Sequence, residues 1–318
     1  MTVAPAAAAA LADQLLERCP FPPSGTPVTC AFSVGAASPA LVVIAGQAGC
    51  EVTAIHVDHG LRPSSTTEAD QAVAIAGRLG VPCRVERAVI GPGPNVEARA
   101  RSARAAALPR DALTGHTADD QAETVLVNLL RGAGVDGIAA IAPGPTHPLL
   151  ALRRSDTVAL CDAVGVTPVS DPSNRDPRFV RNRIRHEVLP LLDDIAGRDV
   201  ASLLARTAAV VRADADLLAD VTSDAMHSID PSDARSLAAL PPTLTRRVLR
   251  TWLVRDGYPP DHATVERAYD VVTGASRACD LGSHWRLERH HQTLSIVPPE
   301  PLASTDGMKS HVGAGTDE

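Results

Sequence analysis

Val28-Thr29-Cys30-Ala31-Phe32-Ser33-Val34-Gly35-Ala36-Ala37-Ser38, running on into Pro39-Ala40-Leu41-Val42-Val43-Ile44-Ala45, decides how this chain folds. A short apolar run rich in β-formers ends in small residues and gives way to a second apolar run. That pattern reads as buried strand, tight turn, helix. A helix that starts straight after a strand presents unpaired N–H groups and the positive end of its dipole, a natural seat for phosphate or pyrophosphate. Ser33 and Ser38 add hydroxyls, and Pro39 suits a first helical turn, where no N–H is needed. The same small-residue turn also serves as a plain packing joint, so its neighbours must decide between the two.

Residues 51–57 read as a second buried strand, ending in Asp58-His59-Gly60. A helix over 69–79, a third strand over 81–85 and the loop Gly91-Pro92-Gly93-Pro94 follow. Asn95 is placed to cap a helix over 95–108 that carries Arg99, Arg101 and Arg104. Residues 112–114 read as a fourth short strand, leading through Gly115-His116-Thr117-Ala118-Asp119-Asp120-Gln121 into a helix that reaches Gly132. This alternation predicts an α/β fold, a parallel sheet with helices on both faces. Polar residues gather at the C-terminal ends of strands one, two and four, the edge where open α/β sheets bind ligands. Three separated segments therefore converge on one crevice.

The chain has 318 residues, enough for about two domains. It is 45% hydrophobic but only 2% aromatic, so its core must be built from Ala, Val, Leu and Ile. With 30 Lys and Arg against 37 Asp and Glu, the formal charge is -7. A general nucleic-acid coat is excluded, and any RNA contact must use local basic patches. The strongest such patch is Asp171-Pro172-Ser173-Asn174-Arg175-Asp176-Pro177-Arg178-Phe179-Val180-Arg181-Asn182-Arg183-Ile184-Arg185-His186. No two of the six cysteines form Cys-x-x-Cys, which argues against a zinc ribbon, an iron–sulfur site or a redox pair. They read as reduced, buried thiols of a cytoplasmic protein. The Ala-rich N-terminus reads as a helix and not as a signal peptide, and no window approaches a membrane span.

The expected organisation is an N-terminal helix and lead-in over 1–25, an α/β domain over 26–195 and a helical connector over 196–228. A small, mainly α C-terminal domain over 229–298, with a hairpin-like pair near 281–287 and 293–296, precedes a disordered tail over 299–318.

The motif set is specific in combination. It comprises Ser33 to Ser38, Ile55-His56-Val57-Asp58-His59-Gly60-Leu61-Arg62, Asn95-x-Glu97-Ala98-x-x-Arg101 and Gly115-His116-Thr117-x-Asp119-Asp120-Gln121-x-Glu123-Thr124. His147-Pro148-Leu149-Leu150, Asp171-Pro172-Ser173-Asn174 and Arg181-Asn182-x-Ile184-Arg185 complete it. Together these strings resemble the tRNA(Ile)-lysidine synthetase family of PP-loop (N-type) ATP pyrophosphatases, closely from Val28 to Leu192. The resemblance implies ATP-dependent attachment of L-lysine to the wobble cytidine of tRNA(Ile). ATP adenylates O2 of the cytosine and releases pyrophosphate; the ε-amine of lysine then attacks C2 and AMP leaves. It also implies ATP and Mg2+ as cofactors, tRNA(Ile) and L-lysine as partners, and allows a homodimer.

Carried onto this chain, the resemblance gives Ser33, Val34, Gly35, Ala36, Ala37 and Ser38 to the phosphates and the strand end at Val57 and Asp58 to the nucleotide. Asp119, Asp120 and Glu123 become the catalytic acids, with Asp119 and Asp120 the ligands of Mg2+ or the partners of lysine's amine, and Glu123 a contact to lysine. Arg101, Arg104, Arg181, Arg183 and Arg185 become contacts to RNA, with Arg101 and Arg104 open also to the triphosphate. Each assignment has a plainer counterpart. The aspartates equally cap a helix, Glu123 equally pairs on a helix face, and the arginines equally form solvated surface. His59 and His116 read as hydrogen-bonding supports, and Phe179 as core more readily than as a base-stacking platform.

The turn departs from the family's Ser-Gly-Gly-x-Asp-Ser at Val34 and Ala37. A β-branched residue strains a backbone that needs φ > 0 and could fill phosphate space; the alanine removes a carboxylate. Loss of one charged transition-state contact removes about 10²–10³ in rate. Two expectations therefore stand: a working ligase, and a pseudoenzyme that keeps the fold and tRNA binding without turning over ATP. Another PP-loop enzyme, such as a tRNA thiolase, is disfavoured by the missing cysteine pair. A dehydrogenase is disfavoured because no Gly-x-Gly-x-x-Gly follows the first strand.

Overall fold

The computed structural model describes residues 6–58, 60, 65–88, 96–169, 176–255 and 257–299. His59, Leu61, Arg62, the loop 91–94, Asn95, the string 171–175, the tail from 300 and the side chains of Glu97, Arg101 and Arg104 lie outside the described residues. The chain divides into two compact units, 1–215 and 216–318.

The first unit opens with α1 (Ala6–Leu16), whose buried Ala8, Ala12 and Leu15 form one stripe. Strand β1 (Pro27–Phe32) leads through the small-residue turn into α2 (Ala37–Gln47). That helix buries Leu41, Val42, Ile44 and Ala45, because it sits in the core and not on it. Strand β2 (Glu51–Asp58), α3 (Ser65–Arg78), β3 (Cys83–Arg87) and α4 (Val96–Ala107) follow. The sheet is parallel in the order β1-β2-β3, with Phe32 beside His56 and Asp58 beside Arg87. The expected α/β alternation is therefore present. The third strand starts two residues later than expected, because the Val81 N–H instead donates to Ala76 O (3.0 Å), closing the end of α3.

The expected fourth strand shrinks to a single bridge between Leu113 and Cys30. Leu113 donates to Thr29 O (2.7 Å) and accepts from Ala31 N–H (2.8 Å). The neighbouring amides turn away: Ala112 donates to Pro109 O and Thr114 to Thr146 O. The bridge still delivers Thr114 and Gly115 to the edge of β1. From there the chain enters α5 (Ala118–Leu130) and α6 (Val135–Ile138). A 3-10 turn (Pro148–Ala151) then leads to α7 (Arg154–Ala163). Next come α8 (Val180–Arg183), a π turn (Ile184–Val188), α9 (Leu189–Ala196) and the 29-residue α10 (Val200–Ser228), within which the two units divide.

The second unit holds α11 (Ala234–Ala238), α12 (Pro242–Trp252), α13 (His262–Thr273) and strands β4 (Ala278–Gly282), β5 (Trp285–His290) and β6 (Thr293–Val297). Its core gathers Leu237, Leu249, Val271, Leu287 and Leu294. The expected mainly α domain thus carries a three-stranded antiparallel sheet, one strand more than the hairpin read from sequence. The β4–β5 turn explains the miss. Gly282 pairs with Trp285, and the two residues between them, Ser283 and His284, both take positive φ (50° and 64°). Such a turn usually announces itself with Asn-Gly or Asp-Gly.

Cys19, Cys30, Cys50 and Cys161 are buried, and Cys83 and Cys279 are half-buried. Burial pushes the Cys30 thiol up to about 12, and the Cys19 and Cys161 thiols to about 11. Four of the six are thus buried as expected, and a raised pKa disfavours the reactive thiolate. Among the described residues no helix is long and apolar enough to cross a membrane.

Gly115 is where the fold allows no side chain. A Cβ there would lie 2.8 Å from Ala37 O and 2.9 Å from Ala37 C, both backbone atoms. Gly115→Ala is expected to cost about 1–3 kcal/mol by overpacking. Gly134→Ala, where a Cβ meets open space, is the matched control for urea denaturation. Equal midpoints for the two variants would contradict the close approach.

Candidate nucleotide-binding site

The turn after β1 is held by one hydroxyl. Ser38, at the second position of α2, donates through Oγ to Ser33 O (2.6 Å) and accepts from the Ser33 N–H (2.8 Å). Its Oγ also lies 3.1 Å from Ser33 Oγ. Ser38 is buried, so it acts first as the clip that closes the loop. The helix itself begins at Ala37 after Ala36, and among the described residues no side chain caps it. Its first amides are thus not claimed by a cap, which is the arrangement an anion needs.

Val34, expected at the phosphates and feared as a plug, does neither. Its side chain is buried in the core with Phe32, Leu41 and Ile44, and its carbonyl accepts from Val169 N–H (2.8 Å). The described non-glycine residues at positive φ are Ala140, Ser283, His284 and His291, so Val34 carries no left-handed strain. Alternation along an extended segment explains this: Phe32 and Val34 face inward together.

Around the loop opens a cleft of about 570 Å³, a size suited to a nucleotide. Ser33, Gly35, Ala36, Ala37 and Ser38 form one wall, and Ile55, His56 and Val57 at the end of β2 another. Thr114, Gly115, His116, Asp120, Arg154 and Arg185 complete the polar side. The three expected segments do meet. Asp58 does not join them; it is buried, and its Oδ1 accepts from Gly60 N–H (2.9 Å), stabilising the turn after β2. His116 acts as a support, as read: Thr114 Oγ1 lies 2.8 Å from its Nδ1 and 2.6 Å from Nδ1 of His147. Burial draws the His147 pKa down against the opposing Thr146 carbonyl, favouring a neutral ring.

The acidic string on α5 divides into three roles. Asp120 caps its own helix: Thr117 N–H and Oγ1 both donate to Asp120 Oδ2 at 2.9 Å. Its other oxygen, Oδ1, faces Arg154 (3.2 Å) and Arg185 (3.6 Å). Asp119 is tied elsewhere. Arg153 donates to it through Nε and Nη2 (3.0 and 2.9 Å), and the Arg154 N–H adds a third bond (2.7 Å). Glu123 is fully buried and ringed by three guanidiniums. Arg154 reaches it at 2.9 Å, Arg185 donates through Nε and Nη2 at 2.6 and 2.9 Å, and Arg181 stands at 3.2 Å. Burial alone would raise the Asp119 and Asp120 carboxyls. The Arg153 bond for Asp119, and the Arg154 charge for Asp120, outweigh it and hold both below the usual range.

This geometry corrects several expectations. Asp119 is absent from the cleft lining and is not placed as a metal ligand. Asp120 alone is a poor magnesium site, since a cation on Oδ1 would sit beside two guanidiniums. Among the described residues no group of three His, Cys, Asp or Glu is arranged to hold a metal. The donor set therefore does not fit magnesium held by Asp119 and Asp120. Glu123 is saturated by arginines and not open to a substrate. Arg181 and Arg185, expected on RNA, turn inward to Glu123, whereas Arg183 faces solvent and pairs with Glu187 (2.8 Å). Phe179 is exposed and not core.

Arg154, which the sequence reading passed over, lies at the centre of the polar side. A signal was present: two arginines at a helix start oppose the dipole and so demand carboxylate partners.

Replacing Glu123 by Gln leaves three arginines facing a neutral group, and a loss of about 3 kcal/mol is expected by chemical denaturation. Asp119 and Asp120 titrate lower in the folded chain, so their contribution is complete above about pH 4 and is lost as pH falls through their depressed values. Asp119→Asn should flatten the acid limb of the stability profile. An unchanged limb would contradict the Arg153 contact.

The PP-loop domain family profile matches residues 8–192, and the "TilS substrate binding domain" profile matches 233–295. The tRNA(Ile)-lysidine synthase of Nocardia farcinica is 43% identical over 269 residues, covering 81% of this chain and 85% of that protein. The enzyme of the same name from Mycobacterium tuberculosis H37Rv is 44% identical over 241 residues (71% and 74%), and that of Thermobifida fusca 36% over 288 (84% and 87%). Among solved structures, a U34-tRNA thiolase from Methanococcus maripaludis with its [4Fe-4S] cluster is similar in fold. Its TM-score is 0.51 at 15% identity, over 64% of this chain and 78% of that one. With a PP-loop profile spanning most of its length and relatives of this similarity across both units, the chain belongs to the tRNA(Ile)-lysidine synthase family.

Proposed function

We propose that the protein joins L-lysine to the wobble cytidine of tRNA(Ile), using ATP and forming lysidine. The carrying observation is the single cleft in which the amide-rich turn, the end of β2 and the Asp120–Arg154–Arg185 group meet. The names of the relatives supply the substrate. In the first half-reaction the cytidine O2 attacks the α-phosphorus of ATP, the P–O bond to the β-phosphate breaks, and pyrophosphate leaves. In the second, the neutral ε-amine of lysine attacks C2 and the C–O bond to AMP breaks.

The residues present suit these demands. Amides at the start of α2 stabilise the phosphate charge, and Ile55 and Val57 offer an apolar wall to the base. Asp120 is the one carboxylate among the described cleft-lining side chains, and its bonds to Arg154, Arg185 and Thr117 make it a positioning group for those arginines. Magnesium is given no protein ligand in this reading. The second unit, matched as a substrate-binding domain, holds the tRNA, and the setting is the cytoplasm. Nothing favours the pseudoenzyme alternative: of its two supports, Val34 lies in the core, and the carboxylate absent at Ala37 faces a cleft that already carries Arg154 and Arg185.

Purified protein given ATP, L-lysine and tRNA(Ile) with a wobble cytidine should release pyrophosphate and add lysine to the tRNA, read by nucleoside mass. No pyrophosphate at high enzyme concentration would overturn the proposal. Arg183, exposed beyond the buried cluster, is the candidate phosphate contact of α8. Arg183→Ala should weaken tRNA binding and lower the salt slope by about 1. An unchanged slope would remove it from the interface.

A further inference from the structure

We infer that the guanidiniums of Arg154 and Arg185 form the cationic seat for the phosphates of ATP in this chain, so that ATP binds without magnesium. The inference rests on the nucleotide reading of the cleft and specifies its charge.

Among the described cleft-lining side chains the acids and bases other than histidine are Arg154, Arg185 and Asp120, two positive groups against one negative. A protein that retains a magnesium ion offers it carboxylate oxygen. Here that oxygen, Asp120 Oδ1, already faces both arginines, and Oδ2 is bonded twice by Thr117. In the loop wall Ala36 and Ala37 have no side-chain oxygen, and the Ser38 hydroxyl is already engaged with the Ser33 N–H, carbonyl and hydroxyl. The lining therefore favours an anion directly.

The arginines are also held ready. Glu123 lies fully buried behind them and binds Arg185 through Nε and Nη2 and Arg154 through Nη2. Arg185 Nη1 and Arg154 Nε and Nη1 take no part in these bonds. A guanidinium anchored by a buried carboxylate, with further N–H groups that no described residue claims, is suited to phosphate oxygens. The nearby charges of Glu123 and Asp120 outweigh burial and raise the Arg154 pKa, so it stays charged.

The test is ATP binding to the full chain by calorimetry, in EDTA and in magnesium chloride. The expected dissociation constants agree within about threefold. Arg154→Met and Arg185→Met should each weaken ATP binding in EDTA by about tenfold or more. Ala37→Asp, which adds a carboxylate to the loop wall, should make binding magnesium-dependent. Circular dichroism and thermal melts check that each variant folds, and the wild-type comparison stands without any variant. Binding by wild type that disappears in EDTA and returns with magnesium would overturn the inference while leaving the nucleotide site intact. Absence of ATP binding in both conditions would overturn the nucleotide site and the inference with it.

Discussion

A carboxylate with no exposure to water, Glu123, is the constraint on which the site depends. A buried charge is tolerated only when it is paired and hydrogen-bonded. Glu123 draws its partners from two distant stretches, Arg154 at the start of α7 and Arg181 and Arg185 after the basic string. The demand for neutralisation thus pulls three elements onto one side of α5. What reaches the cleft is the remainder of that arrangement, guanidinium edges and a single oxygen of Asp120.

The opposite wall is built by economy of side chain. Ser38 closes the loop on Ser33, and Gly115 lets the fourth segment touch the backbone of Ala37. Small residues bring two backbones together and leave the helix amides at the cleft. Val34 fits this scheme because its side chain belongs to the core, so the loop's departure from the family pattern costs it no shape. Ala37 does alter the chemistry, and the arginines opposite answer for the charge.

Much of this was legible in the sequence. The period of the apolar residues gave the parallel sheet and helices, and the polar strand ends gave the crevice. The individual roles were less legible, because a motif names residues without saying which way they point. Asp119 and Asp120 are adjacent in the chain, yet on a helix they diverge by about 100°, so one meets Arg153 and the other the cleft. Arg181, Arg183 and Arg185 looked like one basic face. Two turn inward because Glu123, more than fifty residues earlier, is buried beneath them. Strand β4 escaped notice because its turn uses Ser283 and His284 in place of glycine.

The central claim is that the loop, the end of β2 and the start of α5 are three walls of one nucleotide pocket. Hydrogen exchange of the full chain with and without ATP tests it most directly. Joint slowing of amides in residues 33–40, 55–58 and 114–123, with 216–299 unaffected, is the predicted result. Saturating ATP that protects none of the three segments, or only residues of the second unit, would contradict the account.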